Sequence, residues 1–186
     1  MMTKQTMATA KRATAFAAAK RAVGAAIVVA AGSMSASERI ASECICARLR
    51  LLNRVVSGIY DEALRPLGLE LSQLSVLIAI DLHGNHATGT RLAKALQVEK
   101  SSISRELQRL EDRSFIRRSP SETERAVRIA LTARGRRLIS AALPGWERAQ
   151  AKAGELLSKG LRAAVAREVR RVPGLSLALR APRPRA

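Results

Sequence analysis

Apolar positions Ile40, Cys44, Leu49, Leu52, Val55, Val56, Ile59 and Leu64 recur near a helical period through SASERIASECICARLRLLNRVVSGIYDEALRPLG. They predict an amphipathic helix of about seven turns from near Ser37, stopped by Pro66 and Gly68. Ser72 is the expected cap of the next helix, QLSVLIAIDLH, which is apolar nearly all round and therefore central. HGNH, from His83 to His86, reads as a turn. Thr88 caps GTRLAKALQV, with Leu92, Ala93 and Leu96 as its inner stripe and Val98 in the turn that follows. EKSSISRELQRLEDRS is a second helix with Ile103, Leu107 and Leu110 facing inward. FIRRS and AVRIALT alternate as the strands of a hairpin joined by PSETER. Thr132 caps ARGRRLISAALPG, Pro144-Gly145 kinks or breaks that helix, and the pattern resumes from Trp146 to about Leu157 and from Leu161 to Val172. No internal repeat is visible.

The run from Thr88 to Thr132 is thus helix, tight turn, helix and hairpin, which is the plan of a winged helix-turn-helix. That module lays its second helix in the major groove of DNA. The outward face of that helix carries Lys100, Ser101, Ser102, Ser104, Arg105, Gln108 and Arg109. Arginine can donate a bidentate pair to guanine, glutamine can pair with adenine, and serine hydroxyls suit phosphates or base edges. The plain alternative is a solvated polar helix face. The hairpin adds Arg117, Arg118, Arg125 and Arg128.

Charge points to the same partner. The chain carries 33 Lys and Arg against 15 Asp and Glu, a formal charge of +18, so a polyanion is the expected ligand. Aromatic residues are only 2%, too few for base-stacking single-strand binders or sheet-based RNA modules. With 186 residues and 47% hydrophobic positions the chain can bury a substantial core. Cys44 and Cys46 stand too close to clip distant segments, which excludes a secreted disulfide scaffold and fits a reduced cytoplasmic setting. No apolar run is long enough to span a bilayer, so no membrane partner is expected. Residues 1–36 form a basic, Ala-rich tail. Its apolar piece AVGAAIVVAAG resembles a signal peptide, but a DNA-binding body has no use outside the cell, and Met34 offers an alternative start. Residues 173–186 form a second basic tail, rich in Pro and Arg.

The body, residues 37–172, resembles the MarR family of bacterial transcription regulators. LRLLNRVVSGIYDEALRPLGLELSQLSVLIAI looks like the family's dimerising helix and the first helix of its DNA lobe. RLAKALQVEKSSISRELQRLEDRSFIRR looks like its helix-turn-helix with the exit into the wing, and VRIALTARGRRL like its strand-to-helix signature. The resemblance implies a mainly α fold with a small β-hairpin wing. A winged helix-turn-helix lobe at about 70–132 would join a helical dimerisation region at about 37–66 and 133–172. It also implies a homodimer whose first and last helices interleave, and two lobes facing one palindromic site. An amphipathic first helix needs such a partner to cover its stripe. The family usually carries Asp two residues before the wing-tip arginine. Here Thr123 precedes Arg125, with Glu122 or Glu124 as stand-ins.

Cys46 lies fourteen residues before Tyr60. The hydroperoxide-sensing branch of the family carries its reactive cysteine at that distance from a tyrosine that hydrogen-bonds it, which makes Cys46 and Tyr60 a candidate redox sensor. Against this, Arg50 stands where that branch has an aromatic residue, and Tyr60 is the chain's one tyrosine. Arg50 could instead lower the thiol pKa. The competing reading is a small packing residue in a dimer interface. His83 and His86 could be half a metal site, but no Asp or Cys cluster accompanies them, so no metal or cofactor is expected. Trp146 reads as a dimer-core or pocket residue. The resulting expectation is a cytoplasmic, non-enzymatic regulator, a repressor, released from DNA by a small-molecule effector or by thiol oxidation. An architectural DNA binder is the first alternative. A thiol-dependent enzyme, lacking any general base, is the second.

Overall fold

The computed structural model describes residues 34–120 and 126–171, which form two compact units dividing after Leu52. In the first unit, helix α1 (Ala36–Glu43) starts on a reciprocal capping box between Ser35 and Glu38. The serine and its backbone hold the Glu38 carboxyl below its ordinary pKa. The single long helix expected here is instead interrupted at Cys44, whose backbone is extended. The Cys44 thiol accepts the Ala47 N–H at 3.4 Å and so caps the start of α2 (Ile45–Leu64). The side chains of Ile40, Ile45, Leu49 and Leu51 are exposed in the isolated chain.

The second unit begins within α2. A turn of tighter helix at Arg65–Leu67, with Pro66 inside it and Gly68 left-handed at φ 62°, ends α2 where Pro66 and Gly68 predicted. Helix α3 (Leu71–His83) is central, with Leu74, Val76, Leu77, Ala79 and Ile80 buried. Its cap is Glu70, not Ser72: Glu70 and Gln73 form the reciprocal box, and Asp61 accepts the Leu71 N–H at 2.7 Å. HGNH closes as another short tight helix, Gly84–His86. Thr88 caps α4 (Gly89–Leu96) and Thr132 caps α6 (Ala133–Leu156), both as expected. Between them lie α5 (Lys100–Asp112) and an antiparallel hairpin, β1 (Ile116–Pro120) with β2 (Val127–Leu131), in which Ile116 faces Leu131.

Three joints lock this lobe together. The Ile129 N–H donates to Ala87 O at 3.0 Å, and Thr88 bridges Arg128, so the entry to α4 adds a third rung to the wing. The Thr132 hydroxyl donates to Ser114 O at 2.8 Å while accepting the Gly135 N–H at 3.0 Å. Phe115 is buried, with the guanidinium groups of Arg113 and Arg134 at 4.7 and 5.0 Å from its ring centre. Ser114, just past the end of α5, holds φ 60°. A side chain pays about 1 kcal/mol for that left-handed conformation. Ser114→Gly is therefore expected to raise unfolding free energy by about 1 kcal/mol in urea titration.

Helix α6 runs unbroken through Pro144, where a break was open to expectation. Its buried positions Ala142, Gly145, Ala149 and Ala153 are all small. A side chain on Gly145 would lie 3.0 Å from Ala63 O, so these residues let α6 approach the second half of α2 closely. Ile59 and Tyr60 pack there with Ala149 and Ala153, and Lys152 reaches Glu62 at 3.4 Å. Trp146 is half-buried between this cluster and the main core. Helix α7 (Lys159–Arg171) buries none of its residues and exposes Leu161 and Val165.

Candidate nucleic-acid interface

Helix α5 is held by Ile103, Leu107 and Leu110, exposed by 3% or less. Those three positions fix the helix on the lobe by one stripe, so its opposite face must look outward. Lys100, Ser101, Ser102, Ser104, Arg105, Gln108 and Arg109 are all exposed, as their positions predicted. Two are engaged within the helix: Gln108 Nε2 donates to Asp112 Oδ1 at 2.8 Å, and Arg109 lies 3.4 Å from Glu106.

Beside α5 the wing closes one side of an open groove of about 750 Å³. Thr90 and Arg91 from the start of α4, Lys100, Ser101 and Ser104 from the start of α5, and Arg118 from β1 form its polar rim. Ile103, Leu107 and Ile129 form its apolar floor. Two helix starts and three cationic side chains here favour an anion, since unpaired N–H groups and the helix dipoles add to the side-chain charge. Arg118 Nε lies 3.2 Å from Glu111 Oε2, close enough for an ion pair but out of line for a hydrogen bond. Its buried Nη2 has no hydrogen-bond partner in the described residues. Glu111 thus holds the Arg118 guanidinium at the rim of the groove.

Thr90 and Arg91 were missed in the sequence, although both follow the Thr88 cap and stand at a helix start. Glu111 was missed because its partner is across a turn on a strand. Arg125, with Thr123, Glu122 and Glu124, lies outside the described residues, as do the tails at 1–33 and 172–186.

Cys46 is an exposed free thiol on α2, and Cys44 is half-buried. Tyr60 is buried and its hydroxyl donates to Gln150 Oε1 of α6. Burial pushes the Tyr60 hydroxyl above its ordinary pKa. Among the described residues no group of three or more His, Cys, Asp or Glu could hold a metal ion. No single helix among them is long and apolar enough to cross a membrane.

A recognition helix docked on a three-helix lobe, with a hairpin tied to its flank, defines a winged helix-turn-helix protein. The sequence model of the MarR family matches residues 67–126, which span α3, α4, α5 and the first strand of the hairpin. The transcriptional regulator MOSR of M. tuberculosis, solved in complex with DNA, is 31% identical over 73% of this chain and 96% of that one, with a TM-score of 0.60. A cysteine-to-serine mutant of E. coli MarR, solved with operator DNA, shares the fold at 22% identity, TM-score 0.65, over 72% of this chain and 97% of its own. CouR of Rhodococcus jostii, bound to p-coumaroyl-CoA, shares it at 24% identity, TM-score 0.60, over 74% and 93%. No curated protein sequence matches the chain. The chain belongs to the MarR family of winged-helix transcription regulators.

Proposed function

We propose that this protein is a transcriptional repressor that binds a palindromic DNA site as a homodimer, with α5 of each subunit in the major groove. The observation that carries the reading is the outward polar face of α5 beside the cationic groove of Arg91, Lys100 and Arg118. MOSR and MarR were each solved in complex with DNA, which supports DNA as the partner of this chain. Lys100, Arg105, Arg109 and Arg118 would meet phosphates or guanine edges, Ser101, Ser102 and Ser104 phosphates or base edges, and Gln108 an adenine. Arg125 would extend the wing contact. The exposed apolar side chains of α1, α2 and α7 support a homodimer, since a second subunit would cover them.

Release would follow from a small ligand or from oxidation of Cys46, either one changing the spacing of the two recognition helices. The ligand route has the stronger support. The tyrosine partner that the spacing suggested for Cys46 is engaged elsewhere, since the Tyr60 hydroxyl donates its one hydrogen to Gln150. CouR, solved with bound p-coumaroyl-CoA, supports a small organic ligand for this fold.

A gel shift on the DNA upstream of its own gene tests both halves. The reduced protein is expected to bind, and a stoichiometric organic hydroperoxide to leave binding intact in the wild type and in Cys46→Ser alike. Release by oxidant in the wild type, abolished in Cys46→Ser, would instead assign regulation to the thiol. Equal retention of upstream and random duplex would argue for an architectural binder.

A further inference from the structure

We propose that Asp112 is a positioning residue for sequence reading: it locks the Gln108 amide so that each half-site is read for adenine at one position. This rests on the DNA-binding role proposed above. Ser101, Arg105, Gln108 and Asp112 are spaced by four, three and four residues and fall inside an arc of about 60° at 100° per residue. That arc lies opposite Ile103, Leu107 and Leu110, the residues that fix the helix to the lobe. The row meant to face DNA therefore ends on an acid.

Helix stability gains only slightly from a Gln–Asp pair four residues apart, and charge works against an acid there. At the last turn of a helix the dipole disfavours a carboxylate, and a DNA-facing anion repels phosphate. Glu111, its neighbour, orients Arg118. Asp112 instead accepts from Gln108 Nε2 at 2.8 Å.

The chemistry makes the orientation one-way. A carboxylate only accepts, so the amide nitrogen of Gln108 must turn toward Asp112 and its oxygen away. One N–H goes to Asp112, and the oxygen and the other N–H remain. That acceptor and donor complement adenine, which offers N6–H as donor and N7 as acceptor in the major groove. An unlocked amide can turn over, present its N–H groups where the oxygen was, and donate to thymine O4 or guanine O6 instead. Asp112 would thus act without touching a base.

The test is enrichment of duplexes from a random library by the full-length chain as wild type, Gln108→Ala, Asp112→Ala and Asp112→Glu. The wild type is expected to enrich a palindrome with adenine preferred about tenfold at one position of each half-site. Gln108→Ala and Asp112→Ala should each lose preference at that same position and keep the others. Asp112→Glu, whose carboxylate still reaches one turn back, should restore part of it. Affinity of Asp112→Ala for scrambled duplex should be unchanged or higher, because an anion has left the DNA-facing row. The lock is overturned if Asp112→Ala keeps every preference, or weakens all positions equally, as a merely structural residue would. A wild-type chain that enriches no site overturns the DNA-reading role itself, an outcome distinct from either.

Discussion

Gly135→Ala is expected to destabilise the protein by about 3 kcal/mol, at the upper end of overpacking effects, and to abolish cooperative docking of the wing. A β-carbon on Gly135 would lie 2.1 Å from Phe115 O and 3.4 Å from a methyl of Leu131. The first obstacle is backbone, so no rotamer change relieves it. Moving the Phe115 backbone would disturb two hydrogen bonds at once, since Phe115 O accepts from the Thr132 N–H at 3.0 Å and Phe115 N–H donates to Leu110 O at 2.9 Å. Those bonds join the end of α5 to β1, β2 and the start of α6. Urea titration measures the loss. Gly160→Ala is the control, because nothing lies within 4 Å of the β-carbon it adds, and it should be neutral or stabilising. Equal stability of Gly135→Ala and the wild type would refute the packing described at this junction.

Affinity for duplex DNA is expected to fall by about a thousandfold or more between about 50 and 200 mM salt. Lys100, Arg105, Arg109 and Arg118 lie on the outward face of α5 or in the groove beside it, and a dimer would double them. Six to ten phosphate contacts give a slope of log affinity on log salt of roughly −5 to −9, as each neutralised phosphate releases counterion. Fluorescence anisotropy at several salt concentrations measures that slope. Removing Arg105, exposed on the outward row, should cost about 1–3 kcal/mol on the specific site and less on random duplex. A slope near zero would mean that the +18 charge serves some other polyanion or none.

The helix starts that were plain in the sequence are those with a threonine at the cap. Thr88 and Thr132 each accept from a backbone N–H three residues on, a local signal that no tertiary contact overrides. Ser72 misled for the converse reason. Serine is the better cap in isolation, but Asp61, ten residues away in the chain, takes the Leu71 N–H and moves the start to Glu70. The interruption at Cys44 was illegible because apolar periodicity is insensitive to one extended residue when a thiol can cap the next turn. Pro144 suggested a break, yet the small residues around it fit α6 closely against α2 and carry the helix through.

The outward face of α5 was legible because three buried positions determine everything opposite them. What each exposed residue does with its hydrogen bonds was not. The Gln108–Asp112 pair follows from a spacing of four, but that spacing allows many pairs that never form. The Arg118–Glu111 pair depends on how the strand leaves the helix, and the groove needs α4, α5 and β1 assembled. Tyr60 shows the same limit: its distance from Cys46 in sequence suggested a thiol partner, while the packing of α6 supplies Gln150.

Sequence reading by α5 is tested by a competition titration at about 150 mM salt, comparing a duplex enriched by the wild-type chain with a scrambled duplex of equal length. The enriched site is expected to bind about a thousandfold more tightly, and Arg105→Ala to reduce the ratio about tenfold or more. A ratio near one, unchanged by Arg105→Ala, would contradict it.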